Sequence, residues 1–282
     1  MNEKSLVKSK DSKGNQIEFF TTEKYGIEKI KKVQEIMLIM AEYIKNILES
    51  HGIPYFITFG TLLGAVRHNG YIPWDDDFDM FLFDETYDFA MEVLRNELPK
   101  WIVIQDEKSD PIYWPYWSRA RDVNSIKVAE KWLDDNYYKY KGINIDLYRL
   151  KTCKKKDVNV KILNENLIHY SKKYHLHLLS LDNYERIRKK IVENIRNEKL
   201  KSCSNPEEQV YYFVVYNINS LTNSDIFPLK KIMFENVYFW GPNNPDSFLR
   251  KIYGDYNKLP PIENRLASCV GVTYIDNNFN YK

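Results

Sequence analysis

Cysteine is scarce in this 282-residue chain: Cys153, Cys203 and Cys269 lie far apart, odd in number and without the paired spacing of metal ligands. Neither a disulfide framework nor a zinc knuckle is indicated, and a reducing compartment is the expectation. Neither sign of charge is in surplus, with 41 Lys and Arg against 39 Asp and Glu, so composition gives no case for nucleic acid as a partner. No apolar run approaches the length needed to span a bilayer, and no secretory h-region opens the chain. The expectation is a cytoplasmic protein without a transmembrane segment. Internal repeats and low-complexity tracts are absent too. Aromatics are abundant, with 22 Tyr, 14 Phe and 6 Trp, which suits a bulky core, and the length suffices for one large domain or two small ones.

One stretch concentrates the chemistry. Phe59 to Phe83 holds three glycines, two basic side chains and an acidic run, Asp75-Asp76-Asp77-Phe78-Asp79, that leads straight into an apolar segment. If 78–83 is a strand, Asp77 and Asp79 share one face with Cα atoms roughly 6.5–7 Å apart. Two carboxylates so placed repel unless a cation or hydrogen-bond donors compensate. A hard cation answers this, and magnesium in particular completes its octahedron with water and substrate phosphates. Asp75 and Asp76 are further candidate ligands, since the sequence does not say which acid of the run faces inward. Upstream, Gly60-Thr61 offers a close backbone approach, a hydroxyl and the start of a short helix through 62–66, whose free N–H groups favour phosphate. Arg67 and His68 add positive charge nearby.

Gly-Thr-Leu-Leu-Gly-Ala-Val-Arg-His-Asn-Gly-Tyr-Ile-Pro-Trp-Asp-Asp-Asp-Phe-Asp closely resembles the signature of the LicD family, which includes the fukutin-type proteins. The resemblance implies a nucleotidyltransferase-type fold and transfer of a phosphorylated alcohol, such as phosphocholine or ribitol phosphate, from a CDP-activated donor to a glycan or lipid-linked oligosaccharide. It implies Gly60-Thr61 at the phosphates, Trp74 on the substrate side, Mg²⁺ or Mn²⁺ on Asp77 and Asp79, and Asp146 as the third acid. Later segments, Phe227-Pro228-Leu229 through Tyr253-Gly254-Asp255-Tyr256 to Leu259-Pro260-Pro261, resemble the family in the same order.

Along the chain, residues 1–22 read as a loose entry segment. Apolar residues from Ile27 to Leu48 recur at threes and fours and predict a long amphipathic helix over 23–50, stopped at His51-Gly52. Residues 53–59 predict a strand, 85–98 a helix and 101–105 a strand. The core is expected over 23–150, as an α+β fold with a central mixed sheet flanked by helices. Arg119 and Arg121 alternate onto one face of a strand, where donor phosphates could meet them. Trp114, Tyr116, Trp117 and Trp132 could grip a quaternary ammonium through their ring faces. In Gly142-Ile143-Asn144-Ile145-Asp146-Leu147-Tyr148 the apolar residues share one face, so Asp146 is an acid on a half-buried strand.

Residues 151–222 predict a mainly helical insertion, with helices over 160–181, 184–200 and 207–221. Its basic helices could lie against an anionic acceptor or the inner membrane face, although a solvated face accounts for them as well. Residues 223–282 predict a hairpin turning at Glu235-Asn236 and a helix capped by Asp246-Ser247, completing the same domain. Two rival functions remain open: transfer of the nucleotide itself with pyrophosphate release, and a non-catalytic Ca²⁺- or glycan-binding protein.

Overall fold

The computed structural model describes residues 4–22, 24–113, 115, 117–129, 138–157, 180, 182–183, 186, 209–213, 218–267 and 269–281. Helix α1, Gly26–Ser50, buries Ile30, Val33, Ile36, Met37, Met40, Ala41, Ile44 and Leu48 along one stripe. Each larger side chain of that stripe contributes roughly 1.5–3 kcal/mol by leaving water. The helix ends where Gly52 takes a φ of 64°, a conformation that costs glycine little.

From there the chain enters a seven-stranded mixed sheet. Strand β3, Tyr55–Ile57, runs antiparallel to β4, Asp79–Phe83, and β4 pairs in parallel with β8, Asn144–Lys154. The first half of β8 also pairs with β6, Ser118–Asp122, which pairs with β5, Ile102–Gln105. Every residue of β4 is buried, so the acid at its start is fixed by a strand the core holds on both faces. Helix α3, Asp84–Glu97, packs with α1 and against β4, β5 and β8. The result is an α+β fold, as the sequence implies.

Three expectations change. The entry segment is a hairpin, β1 Lys4–Lys10 with β2 Gln16–Thr22. Its lysines lie on the outer face of β1, while Ile17, Phe19 and Thr21 of β2 turn inward. The expected 207–221 helix is two strands, β9 Gln209–Phe213 and β10 Ile218–Leu221, with β9 paired to the second half of β8. The run Val210-Tyr211-Tyr212-Phe213 is β-branched and aromatic, which suits a pleated, half-buried surface better than a helix. Helix α5, Pro245–Tyr253, is capped by the Asn244 side chain, which accepts from the Ser247 N–H at 3.1 Å. The expected helices over 160–181 and 184–200 lie outside the described residues.

The remaining elements are a short helix α4, Asn223–Ile226, the hairpin β11 Lys230–Phe234 with β12 Val237–Gly241, and a ribbon of β7 Ser125–Ala129 with β13 Cys269–Tyr274. Among the described residues no helix is long and apolar enough to cross a membrane.

Candidate active site

Between β3 and β4 the chain makes helix α2, Phe59–His68. Phe59 enters it with a left-handed φ of 45°, which for a bulky residue costs on the order of 1–3 kcal/mol. Its ring packs against Phe81, Tyr148 and Phe213 at 5.1, 5.4 and 5.7 Å between centroids, and that packing holds the sharp turn. Gly60 follows directly, and a Cβ there would lie 2.7 Å from Asp75 Oδ2 and 3.8 Å from Asp77 Oδ1. Glycine leaves room for the carboxylates to come right up to the backbone, where any side chain would push Asp75 aside. The Thr61 hydroxyl accepts the Asp79 N–H at 2.8 Å and so locks the start of β4 to the helix.

The register of the sheet sets the centre. Asp79 on β4 is the direct partner of Asp146 on β8, and Asp146 is the partner of Arg119 on β6. Acid, acid and base therefore stand in one row across three strands. Asp146 Oδ1 accepts from Trp117 Nε1 at 2.6 Å and Arg119 Nε at 2.7 Å, and Oδ2 accepts from Asn144 Nδ2 at 2.9 Å. Each carboxylate oxygen has two lone pairs, so among the described residues Oδ1 is filled and Oδ2 keeps one acceptor position.

Burial pushes the Asp79 carboxyl well above the usual range, and the charges of Asp77 and Asp146 push the same way; the Tyr148 hydroxyl and Arg119 pull it back. Asp75 is likewise pushed far up by burial, then by Asp77. Asp77 is raised by burial and by Asp76, with Lys127 opposing. Asp75 and Asp77 keep an open flank, yet the protein around them withdraws most of their water. Crowded carboxyls that resist ionisation are what a hard cation relieves. Among the described residues no three acidic, thiol or imidazole groups form a ready protein-only metal cage. Two carboxylates with water and substrate phosphate suffice for magnesium, so Asp77 and Asp79 fit that ion.

Other expected site residues sit differently. Asp76 is fully buried and accepts the Cys269 N–H at 2.8 Å, while Lys127 donates to its backbone carbonyl and stands 3.8 Å from Oδ1. It ties the acidic loop to the β7–β13 ribbon instead of facing a cation, because its neighbours Asp75 and Asp77 take the open side. His68 is buried; its Nε2 accepts from Arg67 Nε at 2.9 Å, which places the proton on Nδ1, donated to Asp11 Oδ2 at 2.9 Å. Nδ1 thus holds the β1–β2 turn and Nε2 is spent on Arg67. Arg121 is 1% exposed and bonds Gln105, the Gly142 carbonyl and Asn144, so it braces Asn144 behind the acids and does not reach a phosphate. Trp74 is half-buried beside Phe19, 6.2 Å between rings. Trp117 spends its N–H on Asp146; Trp114, Tyr116 and Trp132 lie outside the described residues.

Sequence reading missed Trp117, Asn144 and Tyr148 as holders of the acids, and Lys127 as their buried counter-charge. Asn144 and Tyr148 flank Asp146 at two-residue spacing on one strand face, a signal that was there to find. Lys127 comes from a ribbon whose docking no local pattern reveals. A cavity of about 560 Å³ lined by Glu49, Ile53, Leu229 and Trp240 lies at the Ile53 end of β3, whereas Thr58 at its other end bonds Asp79.

Fold and site together define an α+β protein with a carboxylate centre where a glycine-led helix meets two parallel strands. The LicD/FKTN/FKRP nucleotidyltransferase domain family matches residues 52–197, and the chain belongs to that family. It is 24% identical over 278 residues to the lipopolysaccharide cholinephosphotransferase LicD of Haemophilus influenzae, covering 87% of this chain and 98% of that protein. It is 29% identical over 114 residues to the human ribitol 5-phosphate transferase FKRP, and 44% to the mouse protein; each match covers 33% of this chain and 22% of the relative.

Proposed function

We propose that this chain is a transferase that moves a phosphorylated alcohol, phosphocholine first among the candidates, from a CDP-activated donor to a glycan hydroxyl and releases CMP. The observation that carries this reading is the paired register of Asp79 and Asp146 beside Asp77, in a chain that aligns with a cholinephosphotransferase along nearly its whole length. Phosphoethanolamine, aminoethylphosphonate, ribitol phosphate and glycerol phosphate are the other cargoes that fit such a donor, and a capsule, teichoic acid or lipopolysaccharide glycan is the class of acceptor.

Asp77 and Asp79 would hold Mg²⁺, or Mn²⁺ in its place, and the bound ion would supply charge neutralisation at the donor diphosphate. The residues around it position the reactants. Gly60 lets the Asp75 and Asp77 carboxylates, and with them the donor diphosphate, come close to the start of α2, Thr61 fixes the strand that carries Asp79, and Arg67 offers charge beside Asp75. Asp146, with one open acceptor position on Oδ2, is placed to take the proton of the attacking hydroxyl or to share the cation. Phosphoryl transfer depends mostly on such positioning and charge compensation, so convergence of the acids matters more than the division of roles among them. We place the reaction in the cytoplasm, where CDP-activated donors are made, with contact to the inner membrane face where the acceptor is lipid-linked.

The test is a thermal-shift screen of CDP, CDP-choline, CDP-ethanolamine, CDP-ribitol and CDP-glycerol, each with and without Mg²⁺. A ligand specific for the folded state stabilises it in proportion to the logarithm of its concentration over Kd. Magnesium-dependent stabilisation by one CDP-alcohol above CDP supports the reading. A shift with Ca²⁺ or ATP and none with any cytidine nucleotide contradicts it.

A further inference from the structure

Two arginines are held by one strap of the chain, and one of them, Arg67, lies within the field of Asp75. Arg67 lies in the last turn of α2, and Arg265 follows the single turn Ile262–Asn264. Arg67 Nη1 donates to the Tyr256 carbonyl at 2.8 Å, and Arg265 Nε donates to the Pro260 carbonyl at 2.9 Å. The strap from Tyr256 to Arg265, which holds the Leu-Pro-Pro motif, thus gives one carbonyl to each guanidinium. It is pinned by the Phe20 N–H, which donates to the Arg265 carbonyl at 2.8 Å. A carbonyl aims a guanidinium without cancelling its charge. Among the described residues neither arginine is ion-paired with a carboxylate. Lys13 Nζ, donating to the Val66 carbonyl at 3.0 Å, adds a third cation at the same end of α2.

Two half-buried guanidiniums within reach of each other's field are unfavourable in the free protein. Burial depresses Arg67, and Arg265 depresses it further, while Asp75 opposes both. A multiply charged anion with several acceptor oxygens relieves that repulsion, and the planar fork of Arg matches phosphate oxygens in pairs.

We propose that Arg67 and Arg265, aimed by the carbonyls of Tyr256 and Pro260, form a clamp for the diphosphate of the nucleotide donor, with Arg265 as a substrate-positioning residue. This rests on the transferase reading for the identity of the donor, but the clamp itself is a property of the diphosphate. The strap thereby holds two cations within each other's field, one of them also within that of Asp75, for a substrate that the acids alone would repel.

The test measures the affinity of inorganic pyrophosphate, CDP and CMP, in Mg²⁺, for the wild-type chain, Arg265→Gln and Glu263→Gln. Arg265→Gln keeps an amide donor for the Pro260 carbonyl and leaves the backbone bond to Phe20 intact. The clamp predicts at least a tenfold weaker Kd for pyrophosphate and CDP in Arg265→Gln, a smaller change for CMP, and no change in Glu263→Gln. Unchanged pyrophosphate affinity in Arg265→Gln overturns it, as does a wild-type chain that does not bind pyrophosphate. If Arg265→Gln melts early, Arg265→Lys, which keeps the charge and loses the fork, decides: wild-type affinity there overturns the clamp. Pyrophosphate affinity that depends on Arg265 without any CDP-alcohol turnover would leave the clamp standing and sink the donor assignment. CDP-alcohol turnover with a KM indifferent to Arg265 would do the reverse.

Discussion

Asp79 and Asp146 face each other in the register of two parallel neighbouring strands, so two acids share the middle of the sheet about 4.8 Å apart along the hydrogen-bonding direction. At an effective dielectric of 20, two full charges about 5 Å apart would repel by roughly 3 kcal/mol, which, after burial, is one reason the Asp79 carboxyl is pushed up and resists ionisation. A sheet built for stability alone would not carry this pair.

Asp79→Asn should therefore separate stability from activity. It replaces a carboxyl that the metal-free fold must either protonate or charge at a cost, so the metal-free protein should melt roughly 2–6 °C higher, the shift that about 1–2 kcal/mol gives a chain of this size. Turnover should fall at least about 10²-fold, as for loss of a group that stabilises transition-state charge. Calorimetry and a steady-state assay on the same preparation check both halves; a less stable but active variant contradicts the account.

Trp117→Phe keeps the ring against Tyr148 and Phe213, 5.2 and 5.9 Å between centroids, and deletes the N–H that Asp146 accepts. Loss of one hydrogen bond to a charged group costs about 1.5–3 kcal/mol, or about 10- to 150-fold if it acts on the transition state. The expected loss is in kcat with the melting temperature little changed.

Two glycines of α2 should respond in opposite ways. Gly60→Ala meets the Asp75 carboxylate, a side chain that can swing, so turnover should drop while stability is nearly kept. Gly64→Ala places a Cβ 2.3 Å from the Gly70 backbone carbonyl, which cannot move without shifting the loop before Tyr71. It should destabilise by about 1–3 kcal/mol, measured by urea unfolding.

Lys127 and Asp76 form a buried pair with side-chain exposures of 9% and 1%. Removing one partner leaves an uncompensated buried charge, so Lys127→Met should cost about 3–5 kcal/mol. The double variant Lys127→Met with Asp76→Asn should recover part of that loss; a cycle with no coupling energy would remove Lys127 from its place beneath the acidic loop.

Away from the centre, Asp225 gives a pH signature. Burial opposes its charge, but hydrogen bonds from Lys251, Thr222 and Ser247 prevail and hold the carboxyl at about 2. A depressed folded-state value means stability fully present above the unfolded value of about 4 and lost as pH falls toward about 2. Asp225→Asn should thus be less stable than wild type at pH 7, with the gap closing between pH 4 and 2.

Much of this was legible in the sequence because it is local. The spacing of Ile30, Val33, Met37, Ile44 and Leu48 fixes α1, and the acid run entering Phe78 to Phe83 marks the strand that carries Asp79. Asp146 was legible as an acid on a half-buried strand, and the family resemblance brought it to the centre. What escaped was decided at a distance. Asp76 looks like its neighbours until the β7–β13 ribbon supplies Lys127 and the Cys269 N–H. Arg121 looks like Arg119 until Gln105 and Gly142 close over it. The first strand hid behind its lysines, because a strand covered on one side shows its solvent face as readily as its buried one.

The central claim is chemical, and the most direct measurement is of product. The chain is incubated with Mg²⁺, a glycan acceptor and each CDP-alcohol in turn, and the nucleotide released is identified, with Asp79→Asn as the control. The account predicts CMP together with a phosphodiester on the glycan, from one CDP-alcohol above the others, and neither product from the variant. Pyrophosphate from a nucleoside triphosphate with transfer of the nucleotide itself, or equal CMP release by Asp79→Asn, would contradict it.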